Sequence, residues 1–326
     1  MNSSRRALPF LALGALPLAW HELYRRTYAP KPPAGGAPLL PQAANFPPDF
    51  FLSEDCYAQQ MSDKVLPYLK ARGRFFFFSR EGRIRCAHFA ADAPRATLVL
   101  SPDVQDSMGR WSETIYYLLK LGLSVDIIEH YGHGKSASAV QNPRLIHVSD
   151  FDRYAKDLQF FIRRFAAVEG PRPLVLLGQG MGAVAAIRAL ELEEDLADGT
   201  ILSAPLLSLI TQKPESSVFP LALALAKSPW ARRRAAGPSL ASQTALDGES
   251  ILLATGSPAR VAFDAKRRYE GAQAPRQWPT WGWLSEMLKA AHEVAKPEAK
   301  AALTLPLLLL HGTDDFVSSP NGRVCK

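Results

Sequence analysis

Between Leu174 and Ala185 the chain reads Leu-Val-Leu-Leu-Gly-Gln-Gly-Met-Gly-Ala-Val-Ala. A short apolar run, three alternating glycines and then small apolar residues describe one local form: a buried strand, a sharp turn and a helix. The turn is so tight that only small residues fit around it. Its central position, Gly180, carries no side chain.

A strand that turns directly into a helix belongs in an alternating architecture, and the same alternation recurs along the chain. Phe75–Phe78 and Ile84–Phe89 flank Arg80-Glu81-Gly82, a turn signal, and predict a hairpin. Ala96–Leu100 reads as a short buried strand, Met108–Leu121 as a helix stopped by Gly122, and Leu123–Ile128 as another strand. Ser149-Asp150-Phe151-Asp152 has the form of a capping box. Phe151, Tyr154, Leu158, Phe161 and Phe165 then fall on one helical face. The helix after Gly180 extends to about Leu192, followed by a strand at Thr200–Ser203. Upstream, Ser53–Arg72 predicts a helix capped by Ser53, with Tyr57, Met61, Val65 and Leu69 sharing a face. Downstream, Leu305–Leu310 predicts a fully buried strand ending in His311-Gly312-Thr313-Asp314-Asp315. Ala204–Lys300 breaks the rhythm and shows no clear strand. Apolar strands alternating with amphipathic helices imply an α/β fold, a mostly parallel sheet covered on both faces.

The ends read differently. Residues 1–28 resemble a signal or membrane-anchor segment: Arg5 and Arg6 precede an apolar run, and Ala12-Leu13-Gly14 has the small residues of a cleavage site. Ser4-Arg5-Arg6 faintly resembles a twin-arginine export signal. The run from Ala7 to Trp20 is about 14 residues, short of the roughly 20 that span a bilayer. The expectation is export or membrane association, with an ordinary N-terminal helix of a cytoplasmic protein as the alternative. Residues 29–52 form a proline-rich linker, densest from Ala29 to Pro48, without a buried role.

Composition excludes several classes. With 47% apolar and 21% charged residues the chain has the make-up of a globular protein, and 326 residues suffice for one large core. A net charge of +7 suits an anionic surface, but no nucleic-acid motif accompanies it. Cys56, Cys86 and Cys325 are too scattered for a metal site or a disulfide framework. Gly178-Gln179-Gly180-Met181-Gly182 has G-x-G-x-G spacing rather than the G-x-G-x-x-G of a dinucleotide loop. No cofactor and no metal are expected. Arg232-Arg233-Arg234 reads either as a solvated face or as a contact for lipid phosphates, a membrane surface being one expected partner.

Five stretches, in order, resemble the bacterial lysophospholipase and monoacylglycerol lipase family of α/β-hydrolases, whose members are serine aminopeptidase-like. They are Ser101-Pro102-Asp103 followed by a helix with Trp111; Ile128-Glu129-His130-Tyr131-Gly132-His133-Gly134-Lys135-Ser136, similar to D-H-R-G-x-G-x-S; Gly178–Gly182, similar to G-H-S-M-G; Leu202-Ser203-Ala204-Pro205; and His311-Gly312 with Asp315. Pro279-Thr280 with Trp283 adds a likeness to the lysophospholipase branch. The resemblance spans roughly Phe75 to Cys325. It implies an α/β-hydrolase domain over 53–326, a helical cap inserted at about 205–300, and a last strand and helix that are missing before Lys326.

It also implies a chemistry. Ester hydrolysis on this fold uses a serine at the centre of the elbow, then an acid, then a histidine, in that chain order. The serine's position is Gly180, the acid is Asp315 with Asp314 beside it, and no histidine follows His311. The oxyanion hole would be built from the Met181 N–H and the loop at Asp103, where a carboxylate turned inward opposes the developing charge. Trp281 and Trp283 would meet substrate. Ser136 and Ser203 match structural positions, His311 braces its loop, and His130 and His133 order the surroundings of the elbow. Glu129 and Tyr131 depart from the family's aspartate and arginine. The expected ligand is an acyl lipid or lysophospholipid-like molecule, with hydrolysis weak or absent. A non-catalytic lipid- or partner-binding protein and a truncated gene remnant are the alternatives.

Overall fold

The computed structural model describes residues 46–47, 49–104, 106–207, 215–235, 255–270, 278–312 and 315. The segment at 1–28, most of the linker at 29–52, Asp314 and Cys325 lie outside them. The described residues divide into a unit within Pro47–His311 and a small remainder holding Phe46, Gly312 and Asp315.

The larger unit starts with helix α1 (Tyr57–Gln60), a wide turn at Met61–Val65 and helix α2 (Leu66–Arg72). Strands β1 (Gly73–Ser79), β2 (Arg83–Phe89) and β3 (Ala96–Ser101) follow, then α3 (Ser112–Lys120), β4 (Leu123–Glu129), the short β5 (Leu145–Ile146) and α4 (Asp152–Phe161). After a helical extension at Ala167–Glu169, named α5, come β6 (Leu174–Gln179), α6 (Met181–Leu192) and β7 (Gly199–Ser203). Then α7 (Glu215–Ala226), α8 (Pro258–Glu270), β8 (Trp278–Pro279), α9 (Trp281–Val294), α10 (Pro297–Ala302) and β9 (Leu307–Leu310) complete it.

Among the described residues the main sheet has the order β1-β2-β4-β3-β6-β7-β9. β1, β2 and β4 pair antiparallel, and β4, β3, β6, β7 and β9 run parallel. Side chains alternate across a strand, so neighbouring residues enter different cores. Val99, Ile128 and Leu176 join one with Tyr154, Leu158, Phe161, Ala186 and Met287 of the helices. Leu98, Leu100 and Ile127 join the other with Met61, Leu69, Ile115 and Leu119. Both faces are covered, as the alternating pattern predicts.

Local differences have local causes. The first helix begins at Tyr57, and the Ser53 backbone N–H instead donates to Gln60 Oε1 at 2.8 Å. At α4 it is Asp150, not Ser149, that serves the helix start, its Oδ1 accepting from the Asp152 N–H at 3.0 Å. Leu52, assigned to the linker, is buried, and its N–H donates to the Tyr117 hydroxyl at 2.9 Å. The expected fully buried strand at Leu305–Leu310 is Leu307–Leu310, the last strand of the described sheet, with Leu308 52% and Leu310 47% exposed. An apolar run alone does not reveal whether one face or both are covered. β8, which pairs in parallel with β5, was hidden because two residues carry no periodicity.

Candidate active site

β6 delivers the chain to Gly180, whose φ of 54° and ψ of −116° lie where side chains bring strain, and α6 starts at the next residue. The flanking glycines are there for close approach. A methyl group on Gly178 would meet Ala183 Cα at 2.5 Å, and one on Gly182 would overlap the carbonyl oxygens of Ser101 and Pro102. The turn is stitched to the end of β7: Gly180 N–H donates to the Ser203 carbonyl at 3.0 Å, and Leu206 N–H to the Gly180 carbonyl at 3.1 Å. Small residues thus let α6 lie against the end of β3.

That contact brings Asp103 to the elbow. Its Oδ1 accepts from the N–H of Met181 and from that of Val104, each at 2.7 Å. The carboxylate points inward, and a Cβ added at Gly180 would fall on top of it. Burial, and next the neighbouring Asp106, push the Asp103 carboxyl up to about 7, against the lowering by the two amides and Arg110. Asp106 itself is held by Arg110 Nη1 at 2.6 Å and by the Trp111 indole N–H at 3.3 Å. Arg110, the cation that lowers the Asp103 carboxyl, is therefore already paired with another acid.

Behind the elbow, Ser101 Oγ lies 2.8 Å from His130 Nε2 and donates to the Gly182 carbonyl at 2.9 Å. A hydroxyl has one proton, so His130 is the donor in their contact, which leaves its Nδ1 as a bare acceptor. Among the described residues that nitrogen has no hydrogen-bond partner. The opposite tautomer would strand an N–H there, a costlier arrangement. Burial, with His133 as the second cause, drives the His130 pKa down to about 3, so the ring is neutral. The pair has the separation of a nucleophile and its base, with the hydrogen bond running the wrong way. It braces β3, β4 and α6.

The loop after β4 is organised by Glu129. Its carboxylate accepts from the N–H groups of Lys135 at 2.8 Å and Met108 at 3.2 Å, and faces Arg85 Nη1 at 3.5 Å. Gly134, at φ 49°, is needed because a side chain would run into that carboxylate. Ser136 Oγ donates to the Glu129 carbonyl at 2.5 Å and accepts from Arg85 N–H at 2.9 Å, a structural role. Tyr131 lies under Arg153, whose Cζ is 3.4 Å from the ring centroid.

Comparison with known proteins accounts for this arrangement. The family Hydrolase_4, described as serine aminopeptidase, S33, matches residues 92–324. The chain belongs to the serine aminopeptidase S33 family. It is 28% identical to Lysophospholipase L2 of Escherichia coli (strain K12) over 131 residues, 40% of this chain and 38% of that protein. The chain therefore matches well under half of that relative's length. It is 26% identical to a monoglyceride lipase homolog of Monkeypox virus over 237 residues, 70% of this chain and 74% of that protein. A crystal structure of Paleococcus ferrophilus monoacylglycerol lipase superposes with a TM-score of 0.55 at 22% identity, covering 73% of this chain and 81% of that one. The shared fold is the α/β-hydrolase fold.

Within this S33 fold the remaining candidates separate. Met181, expected in the oxyanion hole, is the first residue of α6, with its N–H bonded to Asp103. Trp281 and Trp283, expected to meet substrate, are core side chains, 8% and 0% exposed. They stand in the first turn of α9, where Thr280 Oγ1 caps the helix by accepting from Trp283 N–H at 3.2 Å. His147, not singled out in the sequence, holds that cap through Nδ1 at 2.8 Å from Thr280 Oγ1. Asp315 sits beside Gly312, donating its backbone N–H to the Gly312 carbonyl at 3.4 Å. Ser203 supplies its carbonyl to the elbow, and His311 directly follows β9. Arg232, Arg233 and Arg234 are exposed. Among the described residues no cluster of metal-ligating side chains occurs. No helix among them is long and apolar enough to cross a membrane. Glu129 could have been found as an anchor from its place at a strand end before a glycine-rich loop. Nothing in the sequence marks Ser101 as the partner of His130.

Proposed function

We propose that this chain is a lysophospholipase- or monoglyceride-lipase-type member of the S33 family that takes acyl lipid ligands but hydrolyses their esters weakly or not at all. The observation that carries the reading is the elbow: Gly180 supplies no nucleophile, and the Met181 N–H is bonded to Asp103. Acyl transfer on this fold needs an attacking oxygen and donors free to face the oxyanion. Losing members of a triad costs on the order of 10⁴- to 10⁶-fold in rate, and losing a second costs little more. The acyl-lipid ligand rests on the relatives, a lysophospholipase and a monoglyceride lipase homolog. Export or attachment to a membrane surface is part of the same proposal, resting on Arg5, Arg6 and the apolar run Ala7–Trp20.

The test measures hydrolysis of short-chain aryl esters by the purified chain, with and without a serine-directed phosphonate, alongside binding of a fluorescent monoacylglycerol. Binding without phosphonate-sensitive turnover is the expected result. Turnover that the phosphonate abolishes would overturn the reading.

A further inference from the structure

The Asp103 carboxylate occupies two volumes that an S33 hydrolase would keep for other groups. One is the space of the side chain at position 180: a Cβ built on Gly180 falls on Asp103 Oδ1, Cγ and Oδ2. The other is the seat of an acyl oxyanion, since Oδ1 takes the first N–H of α6 at 2.7 Å together with that of Val104 at 2.7 Å. α6 is a twelve-residue helix, and the positive end of its dipole faces the carboxylate. We propose that Asp103 is a built-in anion plug: it fills the anion hole from within the chain, excludes a substrate carbonyl oxygen, and makes glycine at 180 obligatory for as long as it is there. This inference rests on the functional reading above and deepens it, because it names the group that closes the site and ties two departures from the family pattern into one dependent pair.

The alternative arrangement is an incidental loop carboxylate. Such a group would be free to turn outward into solvent, as an aspartate on a surface loop does. Here the inward position is held against a desolvation cost and against the like charge of Asp106, so two amides and the space left by Gly180 are what keep it in place. The plug predicts a vacancy of defined chemistry. Without Asp103, the paired N–H groups of Met181 and residue 104 remain, and they fit a small planar carboxylate from solution.

Two measurements test this, neither of which uses ester hydrolysis. The first is a double-mutant cycle in melting temperature. Gly180→Ala brings the same strain at positive φ in any background, whereas its overlap with Asp103 is present only while Asp103 is. Gly180→Ala is expected to lower Tm by several degrees more in the parent than in Asp103→Gly, a difference that counts as pair coupling. Failure of Gly180→Ala to fold in the parent, with folding in Asp103→Gly, is the same result in stronger form. Equal losses in both backgrounds overturn the proposal.

The second measurement titrates sodium formate into Asp103→Gly against sodium chloride at matched ionic strength. A ligand that binds only the folded form raises Tm saturably. Formate is expected to do so in the variant and to leave the parent unmoved. A variant indifferent to formate overturns the plug, as does a parent that responds equally. Asp103→Ala replaces the glycine variant should that fail to fold, and failure of both even in formate also counts against the plug. Phosphonate-sensitive ester turnover by the parent would sink the functional reading separately, whatever these two experiments return.

Discussion

Two loops leave the same end of the sheet side by side, after β3 and after β4, and each presents a carboxylate to backbone amides, Glu129 buried and Asp103 half-buried. Glu129 has Arg85 beside it and amides from two separate segments, at Met108 and Lys135. Asp103 also has two amides, yet its neighbouring charge is Asp106, and the cation in reach, Arg110, is bonded to that same Asp106. One acid is neutralised and ties loops together. The other is held in a place that disfavours its charge, with its carboxyl pushed up to about 7. Burial of a charge is architecture where partners are complete, and a mark of altered chemistry where they are not.

The largest expected effect probes the backbone beneath the first of these loops. Gly182→Ala drives a methyl group into the Ser101 and Pro102 carbonyl oxygens, which cannot yield without parting β3 from α6. A loss of about 4 kcal/mol or more is expected in urea unfolding. Removing Asp103 should give no relief at Gly182, in contrast to Gly180. Next comes Glu129→Ala, which leaves Arg85, the buried Met108 amide and the Lys135 amide without their acceptor. About 3–5 kcal/mol is expected by the same measurement, and a loss below 1 kcal/mol would erase the contrast between the two loops.

A smaller effect separates the acids by pH. The folded chain holds a proton on Asp103 that the unfolded chain has released, so stability falls as pH rises from about 4, the unfolded carboxyl value, to about 7. Asp126, Asp157 and Glu191 are also raised by burial and act in the same direction, so the Asp103 share is the difference between the parent and Asp103→Asn. That difference should narrow on acidification below pH 5. Parallel curves would place the Asp103 titration elsewhere. The smallest change is Tyr131→Leu, which removes the ring under Arg153 and should cost about 0.5–1 kcal/mol.

Most of the sheet was legible because strands and helices announce themselves by period. The glycine-bounded turn at 178–182, the hairpin around Gly82 and the face running from Phe151 to Phe161 were all visible in this way. At the candidate site the sequence names residues and says much less about the direction in which they point. Asp103 was visible as a carboxylate in the loop after β3, but whether it faced in or out depended on the empty volume at Gly180 and the N–H of Met181, neither of them near it in sequence. Trp281 and Trp283 show a related limit: a motif names residues, while their burial beside the Thr280 cap is a property of the fold. β9 shows the limit of apolar runs, since four leucines in succession conceal the alternation between covered and open faces.

Ser101 and His130 offer a consequence of another kind. The imidazole proton shared between them is sealed from solvent, and no protonation step near neutral pH disturbs it. Its exchange with deuterium requires β3, β4 and α6 to come apart together. In a proton NMR spectrum that single resonance would act as a clock, fading only as fast as the seam between sheet and elbow opens.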